Sequence, residues 1–495
     1  MTQEIRSKNT MEKTTWQMMI TIIFSSLMGY LFAKYAPRGP ITTPQVLITI
    51  AGALMIGIIS GFIARNRWIF IAAPIFFWTF FEIGRLGISG PTVDTINLSS
   101  TYGFIAFVLG RLIPFLLAII PMLVGIRYGL WLAEKTSESI NLTFSVFNWS
   151  VTVFATVVVV VIAILISRKP VTAPIQGENG EKLPNSIAEI ISTDIGEHEQ
   201  ALMIRGRNVN NPVILFLAGG PGGTEIGSMR NDVSLEEQFV VVTWEQRGVG
   251  KSYAALDPVE TLTLDQMVSD TLEVTNYLRE RFGKEKIYLV GNSWGTILGV
   301  LAVREDPDLF HAFIGAGQMV SVRETDIMFY EDTLEWARMN GNDALISELI
   351  NNGPPPYNNL LQYESAIAYE HDWNPYPYLN MQLEMPSNLF VPENSLIDKI
   401  NGLRSFLDTF SILYPQIQDI DFRKDVKQLP IPFYIVLGKY EARGRSELAI
   451  EWFNMLEAPK KEMIVFKKSG HRPIFEQPSE FASLMESIHN ELEGN

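Results

Sequence analysis

The sequence predicts an all-α block of apolar helices followed by an α/β domain, a largely parallel sheet covered by helices. Three observations carry that division. Five long apolar stretches precede Lys169, and the run "PVTAPIQGENGEKLPN" that follows is rich in Pro, Gly and polar residues. From about Ala188 short apolar runs alternate with amphipathic ones, as strands alternate with crossover helices. The expected boundaries are therefore 1–169 for the helical block, 170–187 for a linker and 188–495 for the α/β domain.

The apolar stretches, in chain order, are Trp16 to Ala33, Gln45 to Ile63, Trp68 to Phe81, Tyr102 to Ile126 and Trp149 to Ile166. A spanning helix needs roughly 20 mostly apolar residues. The third reaches that length only by taking in Glu82 and Arg85, and the fourth contains Arg111. A multi-pass transmembrane domain of about five helices is expected, with the lipid bilayer as partner. Glu82 and Arg111 could pair within the helix bundle, since intramembrane charges usually need partners, but the favoured reading is that each sits at an interface and reaches headgroups. The first stretch lacks a convincing small-residue cleavage site and is followed by further apolar segments, so it is not read as a cleaved signal. With a cytoplasmic amino terminus and five crossings, the inner loops hold seven basic residues and the outer flanks five, Arg38 among them. This places the protein in the cell membrane and the α/β domain on the extracytoplasmic side.

Composition agrees with a mixed chain. Hydrophobic residues make up 47% of 495, and there is no cysteine, which excludes disulfides, thiol catalysis and zinc–thiolate sites. Up to Lys169 there are 13 basic and 6 acidic residues; beyond it there are 26 and 48. A carboxy-terminal part carrying −22 argues against nucleic acid as a partner.

Within the α/β domain, "PVILFLAGGPGG" is a buried strand running into a glycine-rich loop, and "QFVVVTWEQRGVGKSY" is a strand ending in a turn. "LTLDQMVSDTLEVTNYLRERFG" has helical spacing, and "KIYLVGNSWGTILGV" is a strand that breaks on Gly-Asn-Ser-Trp-Gly and resumes as a helix. Gly-x-Ser-x-Gly between strand and helix is the layout of a nucleophile elbow, in which small residues at 291 and 295 let the chain bend sharply and hold the Ser293 hydroxyl out of the sheet. The same pattern serves an ordinary tight turn, so the rest of the chain must decide. Strand, loop, strand, helix and elbow is the chain order of an α/β-hydrolase. "GVGKS" lacks the full Gly-x-x-x-x-Gly-Lys-Ser spacing of a phosphate-binding loop and reads as a turn.

A serine hydroxyl needs a base to remove its proton and an acid to orient that base. In this fold the order is Ser, then Asp or Glu, then His. Of five histidines, His198 precedes the serine, His311 and His489 read as packing or surface residues, and His371 lies in an aromatic-rich stretch. His471 follows the strand "EMIVFKKSG" in a loop before a new helix. Glu441 follows the strand in "IPFYIVLGKYEARG", whereas Asp421 and Asp425 lie before it.

Taken in order, "AGGPGG", "WEQRGVGKS", "GNSWG", "LGKYE" and "SGHRP" resemble the signatures of the prolyl iminopeptidase branch of the α/β-hydrolases, over about residues 188 to 495. The resemblance implies Ser293 as nucleophile, His471 as base and Glu441 as acid, with the backbone amides of Gly220 and Trp294 as oxyanion hole. It implies small peptides or other small molecules as substrates and no cofactor or metal. Three positions depart from the family pattern: Ala218 stands for histidine, Glu245 for aspartate before Gln246-Arg247-Gly248, and Glu441 for aspartate in the triad. Residues 320 to 424 read as an inserted helical lid. In that family lid glutamates hold the substrate's amino group; here Glu364 and Glu370 are available. An esterase or amidase, and an inactive hydrolase-fold sensor or scaffold, are the alternative readings.

Overall fold

The computed structural model describes residues 2–35, 39–86, 98, 100–136, 146–358, 360–383 and 385–494, so Arg38 lies outside the described residues. The chain forms two units, Met1–Asn97 with Phe104–Lys169, and Leu98–Gly103 with Pro170–Asn495. The amino-terminal helices are α1 (Thr2–Tyr35), α2 (Thr43–Ala64), α3 (Ile69–Arg85), α4 (Thr101–Lys135) and α5 (Val146–Ile166). Among the described residues, four segments are long and apolar enough to cross a bilayer: Glu12–Tyr35, Thr43–Ala64, Thr101–Lys135 and Trp149–Ile166. Helix α3 has 17 residues and is not one of them, so the odd number of crossings expected from the sequence rests on this helix.

Local chemistry explains several of these elements. Thr42 caps α2 in a reciprocal capping box with Gln45, and a proline sits in the first turn, where its missing N–H costs nothing. Helices α2 and α4 meet backbone to backbone. A Cβ on Gly57 would lie 2.1 Å from the Met122 carbonyl oxygen, and one on Gly125 would lie 2.1 Å from that of Leu54. Small residues permit this approach, which maximises dispersion contacts between helices. The expectation for Glu82 and Arg111 is corrected: they form an ion pair at 3.6 Å, with side chains 29% and 21% exposed. Among apolar helices a charge is less costly beside its opposite than alone.

The second unit contains one eight-stranded sheet: β1 (Ile187–Ile195), β2 (His198–Gly206), β3 (Val213–Leu217), β4 (Val240–Glu245), β5 (Ile287–Asn292), β6 (Phe310–Ala316), β7 (Phe433–Gly438) and β8 (Lys461–Phe466). Their order is β1-β2-β4-β3-β5-β6-β7-β8. The β1–β2 and β2–β4 pairs are antiparallel and all others parallel. Strands β3, β5 and β7 are buried along their whole length because helices cover both faces, which is why they read as continuous apolar runs.

Helix α6 (Leu264–Phe282) starts on the Thr263 side chain and stops on Gly283 in the left-handed conformation. Helix α7 (Trp294–Glu305) follows β5 directly. Between β6 and β7 the chain leaves the sheet and forms helices, including α8 (Val322–Met339), α9 (Leu360–Ile367) and α10 (Leu396–Leu413). Helix α11 (Arg443–Met455) links β7 to β8. Helix α12 (Pro478–Glu493) buries Phe481, Met485 and Ile488 in the core formed with Phe216, Tyr288 and Tyr434. The segment after Lys169 is fixed to this unit: the Arg205 guanidinium donates to the Thr172 hydroxyl and the Ala173 carbonyl, and Val171 N–H donates to Pro392 O.

Candidate active site

The sharp turn expected at Ser293 is present. Ser293 caps α7 at the end of β5 with φ 53° and ψ −118°, a conformation that side-chain-bearing residues rarely adopt and that aims the side chain away from the sheet. The turn needs small neighbours: a Cβ on Gly295 would lie 2.1 Å from the Leu217 carbonyl oxygen. Ser293 N–H donates to Ala316 O at 3.0 Å, which ties the turn to β6.

His471 and Glu441 come from loops after β8 and β7 and meet. The His471 Nδ1 atom lies 2.7 Å from Glu441 Oε2, and the Glu441 side chain is fully shielded from solvent. Burial by itself raises the Glu441 pKa, but the Arg445 and His471 charges and hydrogen bonds outweigh it and hold the carboxyl well below its ordinary value. Arg445 Nε donates to Glu441 Oε1 at 2.7 Å from the first turns of α11, four residues on. The same guanidinium also pairs with Glu370.

Ser293 opens onto two adjoining cavities. One, of about 390 Å³, is also lined by Gly220, Glu370, His371, Phe406 and His471. The other, of about 230 Å³, is lined by Gly220, Ser293, Trp294, Asp326, Glu370 and Arg445 among others. His371 thus reaches the site as well, and the His471 imidazole is paired with the Glu441 carboxylate. His311 stacks on Tyr288 at 5.0 Å, and His489 Nδ1 lies 3.0 Å from the Tyr288 hydroxyl, so both pack away from Ser293.

The glycine-rich loop is braced from three sides. Gly220 has φ 129°, a conformation accessible to glycine and strained for other residues. Trp294 Nε1 donates to Gln246 Oε1 at 2.9 Å, and Gln246 Nε2 donates to Ala218 O at 3.5 Å, which links the elbow to the loop through the Gln-Arg-Gly motif. Glu245 accepts from the Thr224 hydroxyl and from Lys251 N–H at 2.8 Å, so its extra methylene relative to aspartate is used to reach the loop. Arg472, next to His471, donates to Glu225 at 3.3 Å and to Ser228 at 3.0 Å. Arg247 is buried against Asp270 at 2.7 Å. Glu364 does not line either Ser293 cavity, whereas Glu370 lines both.

Several contributors were not legible in the sequence. Arg445 has the i, i+4 spacing from Glu441 that marks a helical neighbour, and this was its only local signal. Asp326 on α8 had none: it is fully enclosed, accepts from the Tyr414 hydroxyl at 2.6 Å and from Gln418 at 3.0 Å, and faces the smaller cavity. Burial raises its pKa from 3.8 to about 7, against the two hydrogen bonds and Arg445.

The folded state binds the Asp326 proton more tightly than the unfolded chain, so stability is undiminished below pH 4 and falls as pH rises towards 7. The loss is on the order of 4 kcal/mol. Asp326→Asn should therefore raise Tm at pH 8 and lose that advantage towards pH 4. Thermal scans of both proteins over that range test it, and parallel curves would refute it.

The sequence profile of the α/β hydrolase fold matches residues 212–478, more than half of the chain, and the chain belongs to this family. It is 30% identical over 310 residues to a probable aminopeptidase, YbaC, of Bacillus subtilis, covering 61% of this chain and 96% of the relative. It is 22% identical over 287 residues to a proline iminopeptidase of Heyndrickxia coagulans, covering 56% and 91%. A crystal structure of the Mycobacterium smegmatis proline iminopeptidase aligns with a TM-score of 0.44 at 16% identity, over 62% of this chain and 99% of that one.

Proposed function

We propose that the protein is a membrane-anchored serine hydrolase that removes the amino-terminal residue from small peptides or aminoacyl amides. The observation that carries the proposal is the pairing of buried Glu441 with His471, whose imidazole lines the cavity onto which Ser293 opens. In this reading His471 takes the Ser293 proton as Oγ attacks the carbonyl carbon, and Glu441 fixes the tautomer with the proton on Nδ1. The Gly220 and Trp294 amides receive the developing oxyanion. His471 then protonates the leaving amine, and water enters to hydrolyse the acyl-enzyme by the same steps. Four long apolar helices support the anchor.

Glu370, half-buried and facing both cavities, is the carboxylate offered to the substrate's ammonium group. A second reading, an esterase or amidase indifferent to that group, is favoured by the Arg445 guanidinium that already pairs with Glu370. Proline and alanine 7-amido-4-methylcoumarin, each with a free and an acetylated amino group, separate the two. A charge-assisted hydrogen bond is worth about 1.5–3 kcal/mol, so the free amines should react roughly 10- to 100-fold faster, with the preference lost in Glu370→Gln. Equal rates for free and acetylated substrates would rule out the aminopeptidase reading.

A further inference from the structure

We infer that Tyr102 is a specificity-determining residue of the smaller Ser293 cavity and that Glu364 is its positioning residue; the inference rests on the serine-hydrolase reading above. The second unit takes in Leu98–Gly103, a segment that includes the first two residues of the fourth apolar stretch. Tyr102, half-buried, lines the same cavity as Ser293, Ile297, Phe406 and Phe410. Its ring meets Phe406 edge to face, with centroids 6.1 Å apart. Phe406 also lines the larger cavity.

Three hydrogen bonds hold Tyr102 there. Glu364 on α9 accepts from the Ser100 hydroxyl at 2.7 Å, from Thr101 N–H at 2.6 Å and from Tyr102 N–H at 3.0 Å. Ser100 Oγ in turn accepts from Gly103 N–H at 2.9 Å. Glu364 thus supplies, from a distant helix, the acceptor for the Thr101 and Tyr102 N–H groups that a capping residue normally supplies locally. A side chain whose own backbone N–H is fixed in this way is a firm wall. With Ile297, Phe406 and Phe410 the wall makes one side of a small cavity apolar, so that side suits a short apolar group of the substrate, while Glu370 and Arg445 line the cavity elsewhere.

The test uses the full-length protein in detergent with p-nitrophenyl butyrate and octanoate. Pocket contacts discriminate by roughly tenfold or more per methylene-sized change. In Tyr102→Ala the octanoate-to-butyrate ratio of kcat/KM should rise about tenfold, in Tyr102→Phe it should stay within about twofold, and Glu364→Gln should shift it in the same direction as Tyr102→Ala by a smaller factor. Tyr102→Trp should lower it, which guards against a shift caused by general loosening. Fluorophosphonate labelling of every variant reports an intact Ser293 site independently of chain-length preference. Labelled, active variants with an unchanged ratio would overturn the role of Tyr102 alone. An unsubstituted protein that neither labels nor turns over ester would overturn the hydrolase reading and this inference with it.

Discussion

Ser293→Ala should abolish fluorophosphonate labelling and lower kcat by roughly 10⁴- to 10⁶-fold, while leaving the fold intact. The large effect follows from chemistry: without Oγ there is no acyl-enzyme, and what remains is binding and oxyanion stabilisation of a water attack. The small effect on stability follows from geometry. The unusual φ of 53° belongs to the turn, and serine and alanine bear it equally. Labelling of membranes carrying equal amounts of both proteins, with circular dichroism of the purified pair, measures both quantities. Labelling that survives in Ser293→Ala would place the reactive group elsewhere and remove the proposed mechanism.

Glu441→Gln should lower kcat by roughly 10⁴-fold, because an amide facing Nδ1 no longer enforces the tautomer that leaves Nε2 free to accept the serine proton. This substitution should also destabilise the protein. Arg445, buried, would keep Glu370 but lose its ion pair with Glu441, and breaking a buried pair costs about 3–5 kcal/mol. Glu441→Asp should retain more activity than Glu441→Gln, limited by the shorter reach to a histidine that now sits at 2.7 Å. Stopped assays of kcat alongside thermal scans separate the two losses; a Gln variant as active as the parent would show that Glu441 does not orient the base. The pH sign is the opposite of that for Asp326. The folded-state pKa of Glu441 is depressed, so its contribution is present above pH 4.5 and is lost as acid takes the pH down through the lowered value.

Contiguous runs and short spacings were legible in the sequence: the buried strands, the Gly-x-Ser-x-Gly turn, and loops in which Glu441 and His471 each directly follow a strand. Parallel topology brings the carboxyl ends of successive strands to one edge of the sheet, so chain order alone placed those residues near each other. Pairings made by packing were not legible. For Glu82 and Arg111 the sequence allows either pairing or separate interfaces and favours the latter, yet helix packing brings them to 3.6 Å. Glu364 and Glu370 looked equivalent along the chain, and only the path of the inserted helices sends one to the site and the other to Tyr102. Asp326 carries no local pattern because its partners, Tyr414 and Gln418, lie at the far end of the insertion.

The shared guanidinium of Arg445 also sets a charge balance. Glu370, Arg445 and Glu441 together carry one net negative charge while His471 is neutral. In the proposed mechanism the imidazole accepts the serine proton, and the four groups then sum to zero. They therefore carry no net charge as the oxyanion forms. On that reading the oxyanion's stabilisation falls to neutral dipoles, the backbone amides of Gly220 and Trp294.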